Sequence, residues 1–267
     1  MGTSAAATLF LGMVETPMII RAYLTKLTRS EFFTVMTCGM STVAGSVMII
    51  YANTLSDIIP GAIGHIVVGS VLNIVGAIYV SRIIVPEDST PTSTDKFEDL
   101  GYSYTMDAIT RGTQDGLKLA LNIGGMLLVI ISFVALVNGV LGLLEISDEP
   151  LSLQRMLGWL FSPLAWLIGV PWSEAHLAGN LMGSKIVLNE MIAFIELAAL
   201  GNNLSENSRL VLLYALCGFA NFGSLGILIG GLSTLVPERK MDYLSLAPKS
   251  LISGNVVTFI SASFVGL

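Results

Sequence analysis

The chain has 267 residues, 53% hydrophobic and only 12% charged, with a net charge of −6 and a mean hydropathy of +0.77. A soluble domain carries about 25% charged residues, and half that density cannot clothe a globule of this size, so a single soluble domain is excluded, as are a disordered chain and, with two cysteines, a disulfide scaffold. The acidic balance excludes nucleic acid held on a basic face, and two histidines without Cys-x-x-Cys or His-x-x-x-His leave no sequence case for a metal centre.

A bilayer span needs about 20 mostly apolar residues. The first apolar block, Ala5–Tyr23, follows no basic leader, so no signal peptide is read there; it is short and carries Glu15 and Pro17. The second, Phe32–Thr54, begins after Thr28-Arg29-Ser30-Glu31, and the third, Ala62–Val85, ends at Arg82 and Pro86. Glu87–Asp107 reads as an aqueous loop, and Thr105–Leu121 as an amphipathic surface helix with Asp107, Arg111, Asp115 and Lys118 three or four apart. Leu119–Leu144 is the cleanest span. Leu153–Leu200 holds Pro163, Pro171, Glu174, Lys185, Asn189 and Glu190, and reads as two short helices joined inside the membrane. Ser208–Leu235 is interrupted at Cys217–Ser224, and Leu251–Leu267 is the last span. Cys38 and Cys217 read as small buried hydrophobes. Trp159, Trp166 and Trp172 read as an aromatic belt, His65 and His176 as interface residues, and Lys185 as a structural group that orients a hairpin or pairs with a remote carboxylate.

Two carboxylates, Glu15 and Glu190, stand in apolar surroundings, where a charge at mid-membrane costs about 2.5–3.5 kcal/mol. The bland alternative is that each snorkels to the interface from a helix end. The halves also share a layout. Glu15 is followed 27 residues later by Thr42 and 31 later by Ser46, and Glu190 is followed 31 later by Asn221 and 34 later by Ser224. Paired interrupted segments point to a transporter site at a repeat interface, although small residues in membrane helices also serve close packing.

At these residues the chain resembles the concentrative nucleoside transporter family. Gly183-Ser184-Lys185-Ile186-Val187-Leu188-Asn189-Glu190 matches its Gly-x-Lys-x-x-x-Asn-Glu signature. Gly169-Val170-Pro171-Trp172, Cys217–Ser224, Leu11–Pro17 and Thr42–Val47 are similar to its neighbouring motifs, in the same order. The resemblance implies an all-α polytopic membrane protein with two oppositely oriented re-entrant hairpins and broken helices in an inverted repeat. It divides the chain into 1–54, a partial first hairpin and broken span; 55–152, scaffold spans with polar loop 86–107 and the amphipathic helix; 153–236, the second hairpin and broken span; and 237–267, the C-terminal span. It further implies that N-terminal spans and the outer half of the first hairpin would precede Met1, so that the chain is the C-terminal two-thirds of such a transporter.

The function so implied is cation-coupled import of nucleosides across the plasma (inner) membrane by a homotrimer, with no enzymatic step and no cofactor beyond Na+ or H+ as coupling ion. Glu190, Asn221 and Ser224 would bind the ribose hydroxyls, where a carboxylate accepts O–H donors in charge-assisted bonds. Phe219 would pack beside sugar or base, Val47 would line the base pocket, and Glu15 would reach ring N–H groups. Thr8, Leu11, Thr42 and Val43 would offer oxygens to the cation. The family commonly has asparagine at the Thr8 position, so sodium and proton coupling both stay open. Its common Gly-Gln-Thr/Ser-Glu string is Gly12-Met13-Val14-Glu15 here, and a buried site that has lost polar partners discriminates against bases needing them, so an altered base preference is expected. Two other readings are weighed. One is a transporter of another small polar solute on the same architecture. The other is an intramembrane enzyme using Glu15 and Glu190 as acid and base, which lacks a nucleophile constellation and a metal motif.

Overall fold

Helices form along the apolar runs, and the Gly-, Asn- and Pro-containing interruptions become extended breaks between them. The computed structural model describes residues 2–92, 103–146 and 149–267. The first half comprises α1 (Gly2–Ala7), α2 (Glu15–Ile19), α3 (Arg29–Ser41), α4 (Gly45–Leu55) and α5 (Ala62–Ile84). The second comprises α6 (Thr105–Leu141), α7 (Leu153–Leu167), α8 (Trp172–Val187), α9 (Glu190–Leu200), α10 (Glu206–Leu216), α11 (Phe222–Leu235) and α12 (Lys240–Gly266). The expected helical class holds; a two-residue antiparallel ladder, Glu145–Ile146 with Glu149–Pro150, is the strand pairing among the described residues. Arg29–Leu55, Ala62–Ile84 and Thr105–Leu141 are long and apolar enough to cross a membrane.

Local chemistry sets the ends. A capping box opens α3: the Glu31 N–H donates to Thr28 Oγ1 at 3.1 Å and the Thr28 N–H to Glu31 Oε2 at 3.0 Å. Gly169, at φ 109°, closes α7 in a conformation that costs glycine little, and Pro171 at ψ 143° sets the extended entry to α8. The Gly-Val-Pro-Trp motif is thus a helix stop followed by a start. Asn189 and Asn221 cap α9 and α11, their Oδ1 atoms accepting from the Ile192 N–H at 2.9 Å and the Ser224 N–H at 2.7 Å.

Three sequence expectations need correction. The amphipathic segment and the cleanest span are one continuous helix, the 37-residue α6. Arg111 and Lys118 are good helix formers and Arg111 pairs with Asp107 one turn back at 2.8 Å, so polarity changes along it while the backbone does not. At 1.5 Å per residue it spans roughly 55 Å, more than the roughly 30 Å hydrocarbon core, so its charged first turns extend past the apolar ones. Residues 153–200 form three helices rather than two. The last helix starts at Lys240 rather than Leu251. Its start is pinned by Arg239, which donates to the Leu24 and Leu27 carbonyls at 3.0 and 2.7 Å and to Asp242 at 2.8 Å, and stacks 4.3 Å from the Phe32 ring centroid. Residues 93–102 of the expected aqueous loop lie outside the described residues.

The two broken segments, α3–α4 and α10–α11, meet at their interruptions, with α12 packed against α3, α5 and α10. Broken helices leave carbonyls that must find donors. The Phe219 N–H donates to the Thr42 carbonyl at 3.2 Å, joining one break to the other. Asn73 of α5 donates to the Ser41 and Cys217 carbonyls at 2.8 and 2.9 Å and accepts from Ser261 at 2.6 Å. Asn255 of α12 donates to the Ala220 carbonyl at 3.0 Å. Lys185, fully buried, donates to Asn255 Oδ1 at 2.7 Å and Thr258 Oγ1 at 3.4 Å, so it is structural as expected but is held by an amide and a hydroxyl rather than a carboxylate. The crossing is close: a Cβ at Gly218 would lie 2.7 Å from Thr258 Cγ2 and 2.8 Å from the Ser41 carbonyl oxygen. Cys38 and Cys217 are buried and unbridged.

Candidate functional site

A cavity of about 780 Å³ lies where the α1–α2 turn, α4, α6, α8–α9 and the second break converge. Its lining includes all eight residues expected at a substrate: Met13, Val14, Glu15, Val47, Glu190, Phe219, Asn221 and Ser224. One wall is the apolar face of α6, with Ile123, Leu127, Ile130, Ile131 and Val134.

Glu190 is the first residue of α9 and is buried, 5% exposed. Its Oε1 accepts from the Tyr51 hydroxyl at 2.6 Å and its Oε2 from Asn221 Nδ2 at 2.9 Å. A carboxylate at a helix N-terminus also gains from the helix dipole. Tyr51 is steadied by Phe194, their ring centroids 5.0 Å apart. Asn221 is committed at both ends, its amide nitrogen to Glu190 and its oxygen to the Ser224 N–H. Each Glu190 oxygen keeps a further lone pair for a ligand. Ser224 is buried beside this pair, and Phe219 and Val47 are half-buried.

Glu15 behaves differently from the expectation of a costly buried charge. It is the first residue of α2, exposed, and makes no hydrogen bond or ion pair among the described residues. Its carboxylate folds over Gly12, where any Cβ would collide with it. Hydropathy along the chain cannot register this, because Glu15 is exposed while Met13 and Val14 immediately before it are buried. Met13 and Val14 are each 6% exposed. They seat against glycines, a Cβ at Gly39 falling 2.9 Å from Met13 Cβ and one at Gly231 falling 2.9 Å from Val14 Cγ1. They wedge the turn between α3 and α11 and bring no donor or acceptor.

The residues expected at a cation lie at the neighbouring breaks. Thr8, Thr42 and Val43 are buried and Leu11 is half-buried. Thr8 Oγ1 donates to the Ala5 carbonyl at 2.7 Å and Thr42 Oγ1 to the Cys38 carbonyl at 2.9 Å, leaving oxygen lone pairs free. The Gly45 N–H donates to the Phe10 carbonyl at 3.0 Å and ties the segment carrying Leu11 to the one carrying Val43.

Tyr51 was not among the expected residues. It lies one turn after Val47 on the same face of α4, and that spacing is the signal that finds it. The α6 wall carried no such signal, because an apolar helix face looks the same whether it meets lipid or a cavity.

Comparison with known proteins follows the same line. The family described as Na+ dependent nucleoside transporter C-terminus matches residues 65–266. The nucleoside permease NupC of Helicobacter pylori is 40% identical over 271 residues, 99% of this chain and 64% of that protein. The uncharacterized transporter YutK of Bacillus subtilis is 37% identical over 270 residues, 99% of this chain and 66% of that protein. A doubly substituted form of CNTnw, solved in an outward-facing state, superposes with a TM-score of 0.86 at 36% identity, covering 98% of this chain and 64% of that one. The chain therefore spans just under two thirds of the length of these relatives.

Proposed function

This chain belongs to the concentrative nucleoside transporter family, as a multi-pass integral membrane protein, and we propose that it carries nucleosides across the membrane by cation-coupled secondary transport with an altered base preference. The observation that carries this reading is the buried Glu190 carboxylate, anchored by Tyr51 and Asn221 and facing a cavity with one polar and one apolar side. A ribose presents vicinal hydroxyls, and the free lone pairs of Glu190 accept them in charge-assisted bonds, with Ser224 beside it as a further partner. Tyr51 and Asn221 fix the carboxylate before the sugar arrives, so little ordering remains to be done on binding. The base then lies along Val47, Phe219 and the α6 face, toward Glu15.

The coupling ion is Na+ or H+. Thr8 and Thr42 hydroxyls with the Leu11 and Val43 carbonyls form an oxygen set of the kind hard cations take. The working assembly is a homotrimer in lipid, a reading supported by family membership and by the exposed apolar residues of α5 and α6, among them Val67, Val71, Leu128 and Phe133. Uptake of labelled nucleosides into proteoliposomes tests the proposal, once under a sodium gradient and once under a pH jump. Accumulation under one gradient that Glu190→Gln abolishes supports it. Uptake of other polar solutes but no nucleoside would replace it with the second reading, for which the apolar Met13 and Val14 speak.

A further inference from the structure

The chain repeats one succession of elements. An interrupted pair (α1–α2, then α8–α9) is followed by a broken pair (α3–α4, then α10–α11) and a long helix (α5, then α12). Glu15 and Glu190 each begin the second helix of the interrupted pair, and Thr42 and Cys217 each cap the C-terminal end of the first helix of the broken pair. Both couples are 175 positions apart. In the first half these interruptions carry the oxygen set assigned above to the coupling cation, with the Thr8 and Thr42 hydroxyls. The same offset leads from Thr8 to Gly183 and from Thr42 to Cys217, so the second half has no hydroxyl at either position. It has an ammonium instead. Lys185 lies in the last turn of α8 and is fully buried. Its Nζ donates to Asn255 Oδ1 at 2.7 Å, to Thr258 Oγ1 at 3.4 Å and to the Ala215 carbonyl at 3.5 Å, and lies 5.8 Å from the Phe259 ring centroid. Ala215 is in the last turn of α10, so the charge sits where two helices end. Helix C-termini carry partial negative charge, and interrupted helices of transporters direct such ends at their coupling cations.

On the cation-coupled reading above, we infer that Lys185 is a tethered cation: it fills in the second half the place that the mobile coupling cation takes in the first, so transport needs one mobile cation where an empty second place would call for two. Hydrogen bonding alone does not call for a lysine here. A buried ammonium loses its hydration, and a neutral donor such as glutamine would serve Asn255 Oδ1 without that cost. What the ammonium alone adds is a permanent positive charge, set against three oxygens and a ring face. The first half has Phe10 at the position matching Lys185, so it carries no tethered charge there and depends on an ion from solution. In the second half the charge is always present. It holds Asn255, which donates to the Ala220 carbonyl at 3.0 Å, next to Asn221 in the cavity wall. The second break is thereby kept in place whether or not ions are supplied, and the first break is left as the half that responds to them.

The test compares the purified full chain with Lys185→Ala, which empties the place, and Lys185→Met, which fills it with an uncharged chain. Nucleoside affinity and thermal unfolding are measured while Na+ and pH are varied in turn, with N-methylglucamine chloride holding the ionic strength. In the native protein the limiting slopes of log affinity against log Na+ and log H+ should sum to about one. Lys185→Ala should unfold at a lower temperature. Na+ or ethylammonium should restore most of that loss, the bulky N-methylglucamine should not, and the summed slope should rise to about two. Lys185→Met should show the loss without the recovery. A native sum of two reveals a second mobile cation and overturns the proposal; this arm needs no variant, so it decides even where Lys185→Ala does not fold. A loss in Lys185→Ala that neither Na+ nor ethylammonium repairs makes the lysine a hydrogen-bonding strut and overturns the proposal as well, while the cation-coupled reading stands. If the native protein binds no nucleoside, or binds it with no dependence on either cation, that reading fails and the tethered cation falls with it.

Discussion

Replacing Glu190 with glutamine keeps the side chain's shape and changes what it can accept. In the native site one carboxylate oxygen takes the Tyr51 O–H at 2.6 Å and the other takes Asn221 Nδ2 at 2.9 Å. A glutamine oriented toward Tyr51 turns its own amine to Asn221 Nδ2, donor against donor. Asn221 cannot flip to relieve this without giving up the Ser224 N–H that its oxygen caps at 2.7 Å. Two ribose hydroxyls lose charge assistance, about 1 kcal/mol each, and the unpaired amide adds about 1 more, together about 3 kcal/mol or more than a hundredfold in affinity. Isothermal titration with the preferred nucleoside reads this directly. The same geometry predicts a repair: with Asn221→Asp added, the new carboxylate accepts the glutamine amine and still caps Ser224. The double variant should be more stable to heat than Glu190→Gln alone and regain part of the lost affinity. Near-native binding by the single variant, or a double variant no better than the single in either respect, would refute the reasoning.

Tyr51→Phe keeps the ring against Phe194 and removes one donor to the carboxylate; nucleoside affinity should fall about tenfold with Asn221 still holding the group, as titration would show. Lys185→Met leaves Asn255 Oδ1 without its 2.7 Å donor at the crossing of the broken helices. Stripping a buried acceptor costs about 1–3 kcal/mol, so the melting temperature should drop. Gly218→Ala puts a methyl 2.7 Å from Thr258 Cγ2 and 2.8 Å from the Ser41 oxygen, where overpacking costs about 1–3 kcal/mol, and thermal unfolding in detergent should move down accordingly. Adding Thr258→Ser removes the Cγ2 methyl and should recover part of that loss.

Much of the fold was legible because its signals are local. The third apolar block matches α5 to within one residue at its end, and the Cys217–Ser224 interruption is the break between α10 and α11, since apolar runs and Gly or Asn punctuation act where they stand. The cavity residues were legible through the family motifs. What escaped depends on remote partners. Asn73 reaches carbonyls 32 and 144 positions away, and nothing near it in the chain marks it as the donor that closes both breaks. The exposure of Glu15 and the lining role of α6 depend on how remote segments pack, which the local pattern does not carry. The continuity of α6 escaped because a change of polarity along a helix resembles a boundary without being one.

The most direct test of the account is a structure determined with a bound nucleoside. The account predicts ribose hydroxyls within hydrogen-bond distance of Glu190 and beside Asn221 and Ser224, with the base running along Phe219 and Val47 toward Glu15. A nucleoside lying outside this cavity, or one with its ribose against Glu15 and its base against Glu190, would contradict it.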